Sequence, residues 1–179
     1  MCNVRRASVA RREARCQRVP VMRPGLVSFN SHPPRRLAKL PRIVGIKDVS
    51  GTMDLPSELC ADGCLPVLNG GDHLTLPIMA VGGVGVVSVV SNICPERVVS
   101  MVRSAAAGDF AAARAEHQAL LPLFDASCAE SSPVPTKHAL AAMGVIGSGA
   151  AREPLAPISA AAKGAIESAL SGLGLLTGE

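Results

Sequence analysis

A lysine closes the short apolar run Ile43-Val44-Gly45-Ile46-Lys47, bounded by Pro41-Arg42 before it and Ser50-Gly51-Thr52 after it. Runs of that kind read as buried strands. Desolvating an ammonium is costly and pushes a lysine towards its neutral form. A neutral amine attacks a ketone and forms a Schiff base. The alternative for the same residue is a lysine that marks the strand end and sends its head group out to solvent. Taken alone, the residue leaves both readings open.

Two further groups of residues bear on the choice. Leu65-Pro66-Val67-Leu68-Asn69-Gly70-Gly71-Asp72 is a second apolar run ending in a glycine turn. Gly82-Gly83-Val84-Gly85-Val86-Val87-Ser88-Val89-Val90-Ser91-Asn92 is a third, rich in β-branched residues and closed by small polar ones. The pattern predicts strands near residues 42–47, 66–69 and 85–90, with a helix-like stretch from Leu74 to Val81 before the third. Continuously apolar strands alternating with helices indicate a parallel sheet covered by helices. Lys47, Gly70-Gly71 and Ser91-Asn92 then fall at the C-terminal ends of neighbouring strands. That rim is where (β/α)8 barrels keep their active sites.

After Asn92 the chain reads as helical. Cys94-Pro95-Glu96 opens a helix that runs to Gly108, with proline in the first turn. Asp109 is placed to cap the next helix, in which Phe110, Ala113, His117, Leu120, Leu121 and Phe124 keep helical spacing. Alanine-rich helices follow over Lys137–Met143 and Ser159–Leu170. His117 and His138 read as helix residues, and His73 as a structural neighbour of the glycine turn. No histidine, cysteine or carboxylate completes a metal-ligand spacing with them, and Cys60 and Cys64, the closest cysteine pair, lack a second pair. We therefore expect no metal, and reduced thiols.

The words Ile43-Val44-Gly45-Ile46-Lys47-Asp48, Leu68-Asn69-Gly70-Gly71-Asp72, Gly82 to Asn92, and Glu130-Ser131-Ser132-Pro133-Val134-Pro135-Thr136-Lys137 stand in that order. From about Arg36 to about Leu176 the chain resembles the dihydrodipicolinate synthase family, within the lysine-dependent pyruvate aldolases and lyases. The likeness is to the last three barrel strands and the C-terminal helices. The proline-rich word after Glu130 is more similar to the synthases than to the sialic-acid or sugar-acid lyases. The resemblance implies an α/β fold, the C-terminal part of a (β/α)8 TIM barrel followed by a helical segment. It implies that Lys47 forms the Schiff base, and that Gly70 and the Val87 carbonyl border the substrate. It further implies pyruvate and an aldehyde as substrates, no cofactor, and a homo-oligomer. The family's proton relay uses tyrosines and a threonine from early strands, and an arginine holds substrate carboxylate. This chain has no tyrosine, and the threonine pair is missing. Phe29-Asn30 with Pro33-Pro34-Arg35 is only faintly similar to the fifth-strand word, and the stretch from there to Lys47 reads as too short for a helix.

Length and charge complicate the picture. A complete barrel needs about 250 residues, and the chain has 179. We divide it into a basic head (residues 1–35), a partial barrel (36–94) and C-terminal helices (95–179). The head has eight arginines and one acid, Glu13, hence a charge of +7 against −3 for the remainder. Such a shift marks a junction between unlike pieces. The head is read as a transit peptide, as a nucleic-acid-binding arm short of aromatics, or as sequence foreign to the fold. We expect no nucleic-acid partner, and we expect residues 1–34 to lack stable packing, leaving the strand before Lys47 at an open edge. No apolar run reaches the ~18 residues of a membrane span, so we expect no membrane partner. A cytoplasmic location is expected, or a plastid or mitochondrial one if the head is a transit peptide. Two functional readings remain. One is an impaired, truncated synthase-like enzyme or related pyruvate aldolase. The other is a non-catalytic fragment or interaction module.

Overall fold

Four short parallel strands, lying in chain order, make up the sheet. They are β1 (Val21–Met22), β2 (Ile46–Asp48), β3 (Val67–Asn69) and β4 (Gly85–Val86). These coordinates are a computed structural model, which describes residues 18–22 and 32–176. In register, Lys47 pairs with Val21 on one side and Leu68 on the other, and Leu68 pairs with Gly85. Side chains alternate across a pleated strand, so this row shares one face, and the row of Asp48, Asn69 and Val86 shares the other.

Helices α2 (Asp54–Asp62) and α3 (Thr75–Ala80) follow β2 and β3 as crossovers. They cover the face that carries Ile46 and Val67, which form a buried cluster with Leu59 of α2 and Ile78 of α3. Gly63 ends α2 in the left-handed conformation, φ +64°, with its N–H bonded to Leu59 O. A residue with a Cβ is strained there. The opposite face, bearing Lys47 and Leu68, is half-buried.

Four helices complete the chain: α4 (Pro95–Ala106), α5 (Phe110–Cys128), α6 (Val134–Ala142) and α7 (Ala160–Gly172). Asp109 caps α5, its carboxylate accepting from Ala112 N at 3.0 Å. Ser159 caps α7 by accepting from Ala162 N at 3.2 Å. The largest core joins Val98 and Met101 of α4, Leu120, Leu123 and Phe124 of α5, and Ile166 and Leu170 of α7. This architecture is the C-terminal part of a (β/α) barrel followed by a helical segment, as the sequence implied.

Several details differ from the sequence reading. The sheet has a fourth strand, β1, contributed by the basic head: Lys47 N donates to Pro20 O at 2.9 Å, and Arg18 bridges Ile43. The strand before Lys47 is therefore paired, not open. Proline suits such a place, since only its carbonyl is needed there. The stretch before Lys47 also holds a helix, α1 (His32–Leu37), short enough to fit the span judged too small for one. The third apolar run is a strand only at Gly85–Val86, and a 3-10 turn at Val90–Asn92 replaces its end. A second 3-10 turn, Asp72–Leu74, precedes α3. Phe29 and Asn30 lie outside the described residues.

Candidate functional site

Lys47 sits near the end of β2, half-buried, on the sheet face away from α2 and α3. Its stem runs beside Gly70, the first residue after β3. A Cβ built on Gly70 would overlap Lys47 Cε and Val49 Cγ1, and would stand 3.0 Å from Asp48 O. The backbone is held at that separation by Gly70 N, which donates to Asp48 O at 2.7 Å. Glycine at 70 therefore makes room for the lysine stem. The structure brings these two predicted residues together.

The turn around Gly70 is fixed by its neighbours. Asn69 is buried, and its carboxamide accepts from Gly71 N at 3.0 Å while Nδ2 donates to Gly71 O and, at 3.0 Å, to Thr75 Oγ1. Asp72 is also buried, and its Oδ2 accepts from Val89 N at 3.0 Å and Val90 N at 3.1 Å. Its other oxygen, Oδ1, has no partner among the described residues. The Asp72 carboxylate thus ties the turn after β3 to the loop after β4. Val87, the third predicted residue, lies in that loop, its N–H donating to Asn69 O at 2.8 Å. Its side chain is exposed. Ser88 shapes the same loop: its hydroxyl accepts from Ser91 N at 2.8 Å, and its carbonyl accepts from Ser91 Oγ at 3.1 Å.

Asp48, beside the lysine but on the helix-facing side, is buried and accepts from Ser50 N at 3.2 Å and Ser50 Oγ at 3.1 Å. Burial raises its pKa, and the bonds from Ser50 oppose that in part. Asn69 and Asp72 are the residues whose roles sequence reasoning missed. The one available signal was that each is a polar residue inside or directly after an apolar run, where a buried side chain must find hydrogen-bond partners.

The histidines stand on the helical side. His73 Nε2 lies 2.8 Å from Asp125 Oδ1, and its ring meets Phe124 edge-on. His117 meets Phe124 from another side at a 5.7 Å ring separation. Burial lowers the His117 pKa, and nearby His73 adds to the effect. His138 Nε2 lies 2.9 Å from Glu167 Oε1, joining α6 to α7. Burial also pushes the Cys94 thiol up to about 11, which keeps it protonated and unreactive. Among the described residues no three His, Cys, Asp or Glu side chains gather as a metal site, and no helix is long and apolar enough to cross a membrane.

The family model described as the dihydrodipicolinate synthetase family matches residues 27–173. The 4-hydroxy-tetrahydrodipicolinate synthase of Methanococcoides burtonii is 43% identical over 143 residues, covering 78% of this chain and 49% of the relative. That of Syntrophobacter fumaroxidans is 42% identical over 163 residues, covering 88% of this chain and 56% of the relative. Among solved structures, the chloride-inhibited dihydrodipicolinate synthase of Acinetobacter baumannii complexed with pyruvate superposes with a TM-score of 0.75 at 32% identity, over 80% of this chain and 50% of that one. The chain spans about half the length of the curated relatives it matches. It belongs to the dihydrodipicolinate synthetase family.

Proposed function

We propose, from this family membership, that the chain carries the Schiff-base half of a synthase-like, pyruvate-dependent lyase site of lysine biosynthesis. The observation that carries the reading is the placement of Lys47 on the sheet face away from α2 and α3, its Cε in the space that a Cβ on Gly70 would take. In this reading Lys47 Nζ attacks the keto carbon of pyruvate. Water leaves, and a protonated imine remains. That imine is an electron sink, so a methyl proton is lost and an enamine forms. The enamine carbon then attacks an aldehyde, aspartate semialdehyde in the synthase reading, or another aldehyde if the chain is closer in function to sialic-acid or keto-sugar-acid lyases. Gly70 borders the pocket with bare backbone, and the Val87 carbonyl faces the substrate. The chemistry requires neither metal nor organic cofactor. We place it in the cytoplasm, in a homo-oligomer.

The absence of tyrosine favours a second reading, in which the chain is a non-catalytic fragment or interaction module. Imine formation needs the amine, whereas turnover needs proton relay as well. Incubation with pyruvate and borohydride, followed by peptide mass mapping, separates the two. We expect a reduced pyruvyl adduct at Lys47, lost in Lys47→Ala, together with little or no aldol product. No adduct at saturating pyruvate would sink the first reading. Full synthase turnover by the 179-residue chain would sink the second.

A further inference from the structure

We infer that two copies of this chain close on each other as an eight-stranded barrel, each copy supplying four strands. The sheet is parallel and in chain order, so its two edges are β1 and β4, both running in the same direction. Among the described residues nothing pairs with the outer side of either. Natural sheets guard open edges with charge, proline or cover. The β4 edge has no such guard: from Val81 to Asn92 there is no charged residue and no proline, and Val84 and Val87 stand 53% and 45% exposed. At the other edge Val21 is 53% exposed and shares its row with Lys47.

The occupant follows from geometry. A partner for these edges must offer a parallel strand to β1 and another to β4 at once, and must cover the face that α2 and α3 leave open. A second copy, turned by a two-fold axis along the barrel axis, presents its β4 to β1 and its β1 to β4. The contact is isologous and leaves no edge. Four strands from each copy make eight, the number at which a parallel barrel closes with side chains filling its interior. The β2 strands then lie four positions apart around the ring, so the two Lys47 side chains enter one interior from opposite sides. The Lys47 face is complete only in the pair. This inference stands on the sheet's edges and does not rest on the proposed lyase activity.

The test uses the full 179-residue chain. Light scattering should give twice the mass of one chain. Val21→Cys mixed with Val87→Cys, which shares the parity of Gly85 and so the face of Val21, should on oxidation give a disulfide-linked dimer. Each variant alone, and the unmodified chain with its native cysteines, should give little, because the axis separates like edges. Val84→Lys should halve the mass while keeping the helical circular dichroism, which shows that loss of the dimer is not loss of folding. A monomeric mass would overturn the inference, as would cross-linking of Val21→Cys to itself as efficiently as in the mixture, or an undiminished mass in folded Val84→Lys. A monomer that instead binds a polypeptide carrying the first strands of a relative's barrel would overturn it in favour of that occupant.

Discussion

Lys47 and Gly70 depend on each other through space. The lysine stem occupies the volume that any side chain at 70 would need. In Gly70→Ala the new methyl group must displace Cε of Lys47 and Cγ1 of Val49, with Asp48 O close behind. Such overpacking costs about 1–3 kcal/mol, and here the strain falls on the side chain proposed to form the Schiff base. We expect borohydride trapping to slow about tenfold or more, because misplacing a reacting group is costly in rate, while Lys47→Ala leaves stability nearly unchanged. Equal trapping in Gly70→Ala and the parent would contradict this. Asp48 gives a second prediction at this scale. Its folded pKa is raised, chiefly by burial, so folding favours the protonated form. The stabilising contribution is full below the ordinary carboxylate value of about 3.9 and is lost as pH rises through the raised folded value. Asp48→Asn keeps an acceptor for Ser50 and removes the titration. Denaturant unfolding across the acidic range should therefore show the variant gaining on the parent as pH rises, and parallel curves would refute it. The placement of Lys47 near the end of its strand and of Gly70 in the turn after β3 was legible in the sequence, because each stands out in its own short word. The role of Asp72 was not, since its partners Val89 and Val90 lie on another element.

Elements show the same division between local and distant causes. The helices from Pro95 onward were legible because their signals are local: proline in a first turn, Asp109 at an N-cap, apolar residues at helical spacing. The sheet was harder. A two-residue strand such as β1 has no period of its own and exists only through its pairing with β2. The run Val84 to Val90 looks like one continuous strand, yet it stops at Val86. There the Asp72 carboxylate takes the N–H groups of Val89 and Val90, and the Ser88 hydroxyl takes that of Ser91. These bonds compete with a sheet ladder and wind the chain into a turn. Asp72→Ala removes a charged acceptor serving two amides and leaves them facing an emptied site. Hydrogen bonds to charged groups are worth about 1.5–3 kcal/mol each, so we expect a loss of roughly 3 kcal/mol in urea unfolding. Asp109→Ala, which removes one N-cap bond from α5, should cost only about 1 kcal/mol. If the two variants lose equally, Asp72 does not clamp the rim.

Across the whole molecule, apolar burial is unevenly shared. The helical core gathers residues of α4, α5, α6 and α7 with Val90 and Ile93. The cluster between the sheet and its helices has just Ile46, Leu59, Val67 and Ile78 at its centre. Stability follows burial, and regions with few buried apolar contacts open first. Lys47 therefore stands on the weaker half, on the sheet face that α2 and α3 do not cover. Native-state hydrogen exchange should find the amides of β2 and β3 opening about tenfold or more often than those of Leu120, Leu123 and Phe124 in α5, a gap of roughly 1.4 kcal/mol. Raising the protein concentration should narrow that gap if copies close over the sheet, because a partner that binds only the folded sheet stabilises it by mass action. The α5 amides, buried within one chain, should not respond. Uniform protection across sheet and helices at low concentration would show that the sheet needs no partner to be stable.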